Sequence, residues 1–133
     1  MIVSTRGRYA LRVMIDIAEH PTEHYIPLKS IAARQGISEK YLESILKTLV
    51  QAHMLEGMRG KGGGYRLTMQ PDEYTIGSIL RLTENNLSPV GCVESGTTSC
   101  PKASECRTVS MWVHLDELVN NYLDSITLAD LLM

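Results

Sequence analysis

Between residues 6 and 20 the apolar positions recur at three- and four-residue steps, with Ala10, Val13, Met14, Ile17 and Ala18 on one face. The pattern predicts a helix, with Ser4 and Thr5 as candidate caps and Pro21 marking its end. From Leu28 to Gln35 a shorter helix turns Ile31 and Ala32 inward, and Gly36 stands where a left-handed C′ residue belongs. Ile37 opens a turn and Ser38 caps the next helix. There Leu42, Ile45, Leu46 and Leu49 form a tight stripe that runs to about Ala52. Two helices joined by a short turn containing Gly read as a helix-turn-helix, the alternative being an ordinary helical hairpin.

The period then changes. Met54 to Arg59 and Tyr65 to Met69 read as strands around Gly60-Lys61-Gly62-Gly63-Gly64. A glycine-rich nucleotide cradle requires a helix after its glycines, and here a strand follows. A hairpin directly after a helix-turn-helix is a wing. Thr75 to Thr83 predicts a short helix with Ile76, Ile79 and Leu80 inward, Glu84 to Ser104 reads as loop, and a last long helix begins near Glu105 and runs to about Ser125.

Along that last helix Met111 or Trp112, Leu115, Leu118, Val119, Tyr122 and Ile126 recur at helical steps, a period suited to helix-on-helix packing. The winged-helix core is complete without this stripe. A second copy of the chain covers it most economically, and folding back on its own domain is the alternative. The expected fold is therefore mainly α with a small β-hairpin. A winged helix-turn-helix domain spans residues 1–83, a cysteine-bearing loop 84–106, and a long C-terminal dimerisation helix and tail 107–133.

Composition narrows the function. The chain has 133 residues, of which 44 % are hydrophobic, with no Phe and one Trp, which fits one modest domain. No apolar run approaches the ~20 residues that cross a bilayer. The start of the chain has no signal-peptide pattern, so a cytoplasmic location is expected. A net charge of −2 conceals a split, since residues 1–70 carry ten Lys/Arg against six Asp/Glu and residues 71–133 carry three against nine. An anionic partner for the first half follows, with nucleic acid the leading candidate. The four histidines, His20, His24, His53 and His114, are dispersed, and no carboxylate cluster or Ser/His/Asp arrangement suggests an enzyme.

All three cysteines, Cys92, Cys100 and Cys106, lie in one polar stretch rich in Gly, Ser and Thr. Their odd number and the absence of a Cys-x2-Cys pair argue against a disulfide framework and a structural zinc knuckle. Three thiolates from one loop can hold a soft metal or an iron–sulfur cluster, and a metal-free redox switch is the thiol-only alternative. Glu94, Glu105 and His114 are chemically possible further ligands that spacing does not single out.

The opening Ser4-Thr5-Arg6-Gly7-Arg8-Tyr9-Ala10-Leu11, the helix start Ile37-Ser38-Glu39-Lys40-Tyr41-Leu42-Glu43, the wing Arg59-Gly60-Lys61-Gly62-Gly63-Gly64-Tyr65 and the closing Ile126-Thr127-Leu128-Ala129-Asp130-Leu131 resemble the IscR-type winged-helix regulators of bacteria. The resemblance implies a homodimer on double-stranded DNA at a palindromic promoter site, with an iron–sulfur cluster in the loop before the dimer helix. It places Ser38, Lys40, Tyr41 and Glu43 on the recognition helix, with Glu43 the leading specificity residue, able to accept from a cytosine amino group. The alternative for Glu43 is an i, i+4 pair with Lys47. Lys40 departs from the small polar residue of some relatives.

The resemblance also sends Arg59 to the minor groove, and Arg6, Arg8, Lys61 and Arg66 are expected as phosphate contacts. Cys92, Cys100 and Cys106 are the implied cluster ligands. Where two-iron members carry a His this chain has Val109, and its first cysteine spacing is closer to four-iron relatives, so [4Fe-4S] is favoured over [2Fe-2S]. Where some four-iron members carry an Asp this chain has Arg8. A cluster-free regulator, controlled by thiol oxidation or by docking a cysteine-metabolism enzyme, is the alternative.

Overall fold

The fold was established from a computed structural model, which describes residues 3–96 and 101–133. Helix α1 (Thr5–Glu19) starts because the Ser4 hydroxyl accepts from Gly7 N, which leaves Thr5 as its first helical residue. Helix α2 (Leu28–Gln35) ends at Gly36, whose φ of 64° and ψ of 36° are a conformation that costs an L side chain steric energy. Helix α3 (Glu39–Gln51) is capped by Ser38, whose hydroxyl accepts from Tyr41 N.

Strands β1 (Leu55–Met58) and β2 (Gly64–Leu67) pair antiparallel, with Leu55 opposite Leu67 and Glu56 opposite Arg66. Both are shorter than their apolar pattern predicts. The reason is Tyr74, which is fully buried. Its phenol donates to Met54 O at 2.8 Å and accepts from the backbone N–H groups of Thr68 at 2.9 Å and Met69 at 3.1 Å. One side chain thus replaces the next rungs of the ladder. An isolated bridge from Ile26 to Tyr65 attaches the hairpin to the chain before α2.

Helix α4 (Ile76–Thr83) packs on α1 and begins at Thr75, which caps it through Ser78 N. Two expectations then need correction. The stretch from Glu84 to Ser104 is not all loop, because Gly91–Gly96 forms a 3₁₀ turn with Val93 buried. Helix α5 (Val109–Ser125) starts four residues later than its pattern suggests. The Thr108 hydroxyl lies 3.3 Å from the Cys106 sulfur and makes no cap, and turns at residues 102–106 keep the preceding chain out of the helix.

One core holds α1, α2, α3 and the hairpin together around Val13, Met14, Ile31, Leu42, Leu46 and Leu49. The tail after α5 joins this core. Leu128 is fully buried, its N–H donates to Tyr74 O at 2.9 Å, and Thr127 bridges Thr75. A smaller cluster of Ile76, Leu80 and Leu87 seats α5 on α4 through Leu123 and Ile126. Arg81 of α4 reinforces the contact with bonds to Asp124 at 2.7 and 3.0 Å and to Asn120 at 2.8 Å.

Candidate nucleic-acid interface and thiol segment

Helix α3 buries Leu42, Ile45, Leu46 and Leu49 completely and leaves Glu39, Lys40, Glu43 and Lys47 in solvent. Between this polar face and the wing runs an open groove whose walls include Glu39, Glu43 and Lys47 on one side and Arg59 and Tyr65 on the other. The Tyr65 phenol is held above its ordinary pKa by burial first and by the Glu43 charge second, while Arg59 pulls the opposite way. It therefore remains a neutral donor at neutral pH. The same effects show that helix and wing each bring a charge close to one hydroxyl.

The charged residues of this half divide into two sets. Lys40, Arg59 and Lys61 are exposed, and no ion pair engages them among the described residues. Glu43 makes no ion pair with Lys47, which removes the simplest structural explanation for its position. Other charges are committed within the fold. Arg6 reaches across to α3, where it donates to Ser44 and Thr48. Arg12 stacks on Tyr9 and donates to the Gln35 carbonyl at 2.6 Å, satisfying the end of α2. Arg8 donates to the Thr5 hydroxyl at 3.2 Å. Ser38 serves as the cap of α3, and Tyr41 is half-buried edge-on to Tyr9 with ring centroids 5.9 Å apart.

Arg66 lies behind the wing, away from the groove. It pairs with Glu56 at 2.9 Å and sits 4.4 Å over the Tyr25 ring. The hydrogen bond from Arg66 holds the Glu56 carboxyl below its ordinary value.

Asp16 has a role that apolar periodicity cannot predict. Buried in α1 at 2 % exposure, it accepts from Arg34 at 2.6, 3.0 and 3.2 Å and from Gln35 at 2.8 Å, locking α1 to α2. Burial pushes its carboxyl up, but the bonds from Arg34 and Gln35 and the Arg34 charge outweigh it and hold the pKa below the ordinary value.

The two described thiols lie in the segment between α4 and α5. Cys92 is half-buried in the 3₁₀ turn and Cys106 is exposed before α5, while Cys100 lies outside the described residues. The Thr108 hydroxyl and the backbone N–H groups of Thr108 and Val109 hold the Cys106 thiol below its ordinary pKa. A thiol at a helix start is thereby biased toward the thiolate that binds soft metals. The donor chemistry of the two described cysteines fits an iron–sulfur centre. Among the described residues no three His, Cys, Asp or Glu side chains converge on a metal-sized site. His114 and Glu105 are exposed, and Val109 opens α5 with no donor atom.

No described helix is long and apolar enough to cross a membrane. On α5 the stripe of Met111, Leu115, Leu118 and Tyr122 faces away from α4 and remains in solvent.

Comparison with known proteins places this geometry in context. The family model Rrf2, described as iron-dependent transcriptional regulator, matches residues 3–133. The transcriptional regulator IscR of Aliivibrio salmonicida is 35 % identical over 133 residues, which is all of this chain and 78 % of that protein. Among solved structures, CymR, the global cysteine regulator of B. subtilis, superposes with a TM-score of 0.80 and is 36 % identical, covering 98 % of this chain and 95 % of that one. T. potens IscR superposes with a TM-score of 0.74 at 38 % identity, covering 98 % and 85 %.

Proposed function

Because the chain belongs to the Rrf2 family of DNA-binding transcription regulators, we propose that it works as a homodimer which reads a palindromic promoter site and responds to iron–sulfur cluster status. The observation that carries the DNA-reading part is the groove between α3 and the wing. Glu43 and Arg59 enter it from opposite sides beside the Tyr65 phenol, and neither forms an ion pair among the described residues. In a helix-turn-helix the second helix enters the major groove with its first turns against base edges. Glu43 then accepts from a cytosine amino group, and Lys40 and Tyr41 flank it. Arg59 enters the adjacent minor groove, where A·T-rich sequence concentrates negative potential. Lys61 at the wing tip and Arg8 on α1 neutralise phosphates, which fixes register without reading sequence.

Cys92, Cys100 and Cys106 hold the cluster in this reading, with [4Fe-4S] favoured over [2Fe-2S] because Val109 offers no nitrogen ligand. Such a cluster supplies a centre sensitive to oxygen and nitric oxide. The chain's own part is to bring thiolates to the start of α5, the helix whose apolar stripe would meet the partner. The likeness to the cysteine regulator CymR favours a second reading, in which the same loop acts without a cluster, by thiol oxidation or by docking an enzyme of cysteine metabolism.

Two measurements test these readings. Absorption with iron and sulfide analysis on anaerobically purified protein should show a visible band that oxygen or nitric oxide bleaches. Colourless protein that refuses reconstitution with ferrous iron and sulfide would exclude the cluster and leave the second reading. On DNA, Arg59→Ala should weaken binding to a selected site more than Lys61→Ala does. Equal losses on selected and scrambled duplexes for both variants would remove Arg59 from sequence reading.

A further inference from the structure

Arg6 lies in the first turn of α1, at the positive end of its dipole, where a cation is disfavoured unless something else holds it. What holds it is α3. Its Nη1 donates to Ser44 Oγ at 3.0 Å, and its Nη2 donates to the Ser44 carbonyl at 3.0 Å and to Thr48 Oγ1 at 2.9 Å. The acceptors are prearranged. Ser44 gives its own hydroxyl proton to Tyr41 O at 2.8 Å, and Thr48 gives its proton to Ser44 O at 3.3 Å. Oxygen lone pairs from two successive turns of α3 therefore face one planar guanidinium. A fork of fixed geometry suits that arrangement, and a point charge does not.

The other end of the connection is equally fixed. Two residues before Arg6, Ser4 donates through its N–H at 2.9 Å and its hydroxyl at 2.7 Å to Glu84 Oε1. Glu84 caps the C-terminal end of α4 and opens the segment that leads to the cysteines. Gly7 permits this approach, since a Cβ there would collide with the Glu84 carboxylate. The first turn of α1 is thus clamped to α4 on one side and to α3 on the other. Apolar packing between α3 and the core is non-directional and tolerates small rotations of the helix, whereas these bonds do not.

We propose that Arg6 is a positioning residue, which sets the rotation of the recognition helix by tying α3 to an α1 terminus anchored at Glu84. This assignment replaces the phosphate contact expected of Arg6. It rests on the reading of α3 as the helix that meets DNA bases.

The test uses the full chain. The wild-type protein selects a preferred duplex from random-sequence DNA. Affinities for that duplex and for a scrambled one are then measured across a salt series. Arg6→Lys, Thr48→Val and Glu84→Ala should each weaken binding to the selected duplex about tenfold, with the scrambled duplex and the salt dependence unchanged. Glu84→Gln, which keeps the acceptor oxygen, should restore it. Arg6→Lys combined with Thr48→Val should lose no more than either alone, because both remove one connection.

A phosphate contact behaves differently. If Arg6→Lys binds like wild type, while Arg6→Gln weakens both duplexes equally and lowers the salt slope by about 0.9 per phosphate, the positioning role is wrong. Thr48→Val and Glu84→Ala keep the test open should an Arg6 variant fold poorly, because neither replaced side chain carries a positive charge that could bind phosphate. A wild-type protein that selects no duplex removes the recognition reading and this inference together. A selected duplex with neutral variants removes this inference alone.

Discussion

In α3, Leu42, Ile45, Leu46 and Leu49 have no exposed surface, whereas Met111, Leu115, Leu118 and Tyr122 of α5 remain 37 % to 65 % exposed. Both stripes have helical spacing, so the difference comes from neighbours. α3 is enclosed by α1, α2, α4 and β1. Among the described residues α5 is held along its opposite side, by α4 and the 3₁₀ turn. Fully covering a side chain of this size is worth roughly 1.5–3 kcal/mol. The first stripe supplies that energy to the fold of one chain. The second leaves it unspent in the single chain, and the proposed dimer would draw on it.

The contrast is most exposed to test where the chemistry is identical. Leu46→Ala should cost about 2–5 kcal/mol, at every protein concentration. Leu118→Ala should cost less than about 0.5 kcal/mol in a dilute monomeric sample, but should raise the concentration at which the proposed dimer dissociates. Urea denaturation at two protein concentrations, with sedimentation for the assembly state, measures both effects. Equal destabilisation of the dilute chain by the two substitutions would mean that α5 is covered from within, and the distinction would collapse.

Polar locks of the winged-helix half come next in size. Tyr74→Phe leaves the N–H groups of Thr68 and Met69 and the Met54 carbonyl without their shared partner. The expected loss is roughly 1–3 kcal/mol, read as a lower urea midpoint, with faster amide exchange at Thr68 and Met69. An unchanged midpoint would show that water satisfies the end of the hairpin.

Asp16 makes the same half sensitive to acid. Its folded-state pKa lies below the ordinary value, so its contribution is fully present above about pH 4 and fades as pH falls through the lower folded value. The Asp16–Arg34 link should therefore add stability at pH 7 that is lost on acidification. Asp16→Asn should be less stable than wild type at pH 7 and should lose less between pH 5 and pH 3. Parallel acid limbs for the two proteins would assign the sensitivity to other carboxylates.

These locks also mark the boundary of what sequence makes legible. The helix-turn-helix is readable because its determinants are local. Gly36 fixes the turn, Ser38 caps the next helix, and the Leu and Ile stripe repeats within a few residues. Tyr74 and Leu128 look like ordinary apolar positions, and only the return of the tail to the first core brings them into contact. The start of α5 is misplaced because Thr108 turns its hydroxyl to Cys106 and not to the helix. Arg6 and Arg59 are the same residue type flanking the same motif. What separates the proposed strut from the exposed cation is the set of oxygens that folding delivers to Arg6 and, among the described residues, withholds from Arg59. The proposed cluster is legible only as three thiols in a polar loop, since convergence of side chains is not a property of spacing.

Arg66 gives the smallest expected effect and tests whether the wing's two faces differ. It was expected to contact phosphate, yet β pairing places it opposite Glu56 on the face turned from the groove, stacked on Tyr25. Both partners are at least 40 % exposed, so solvent screens the pair, and such pairs add little to stability. Arg66→Gln should therefore shift the urea midpoint barely. It should change affinity by less than about twofold on selected and scrambled DNA alike, with no change in salt slope. Arg59→Ala, on the groove face seven residues earlier, should do far more to the selected duplex. A drop in the Arg66→Gln salt slope by one phosphate would show that the rear of the wing also meets the duplex, and the division of the hairpin into a reading face and a supporting face would fail.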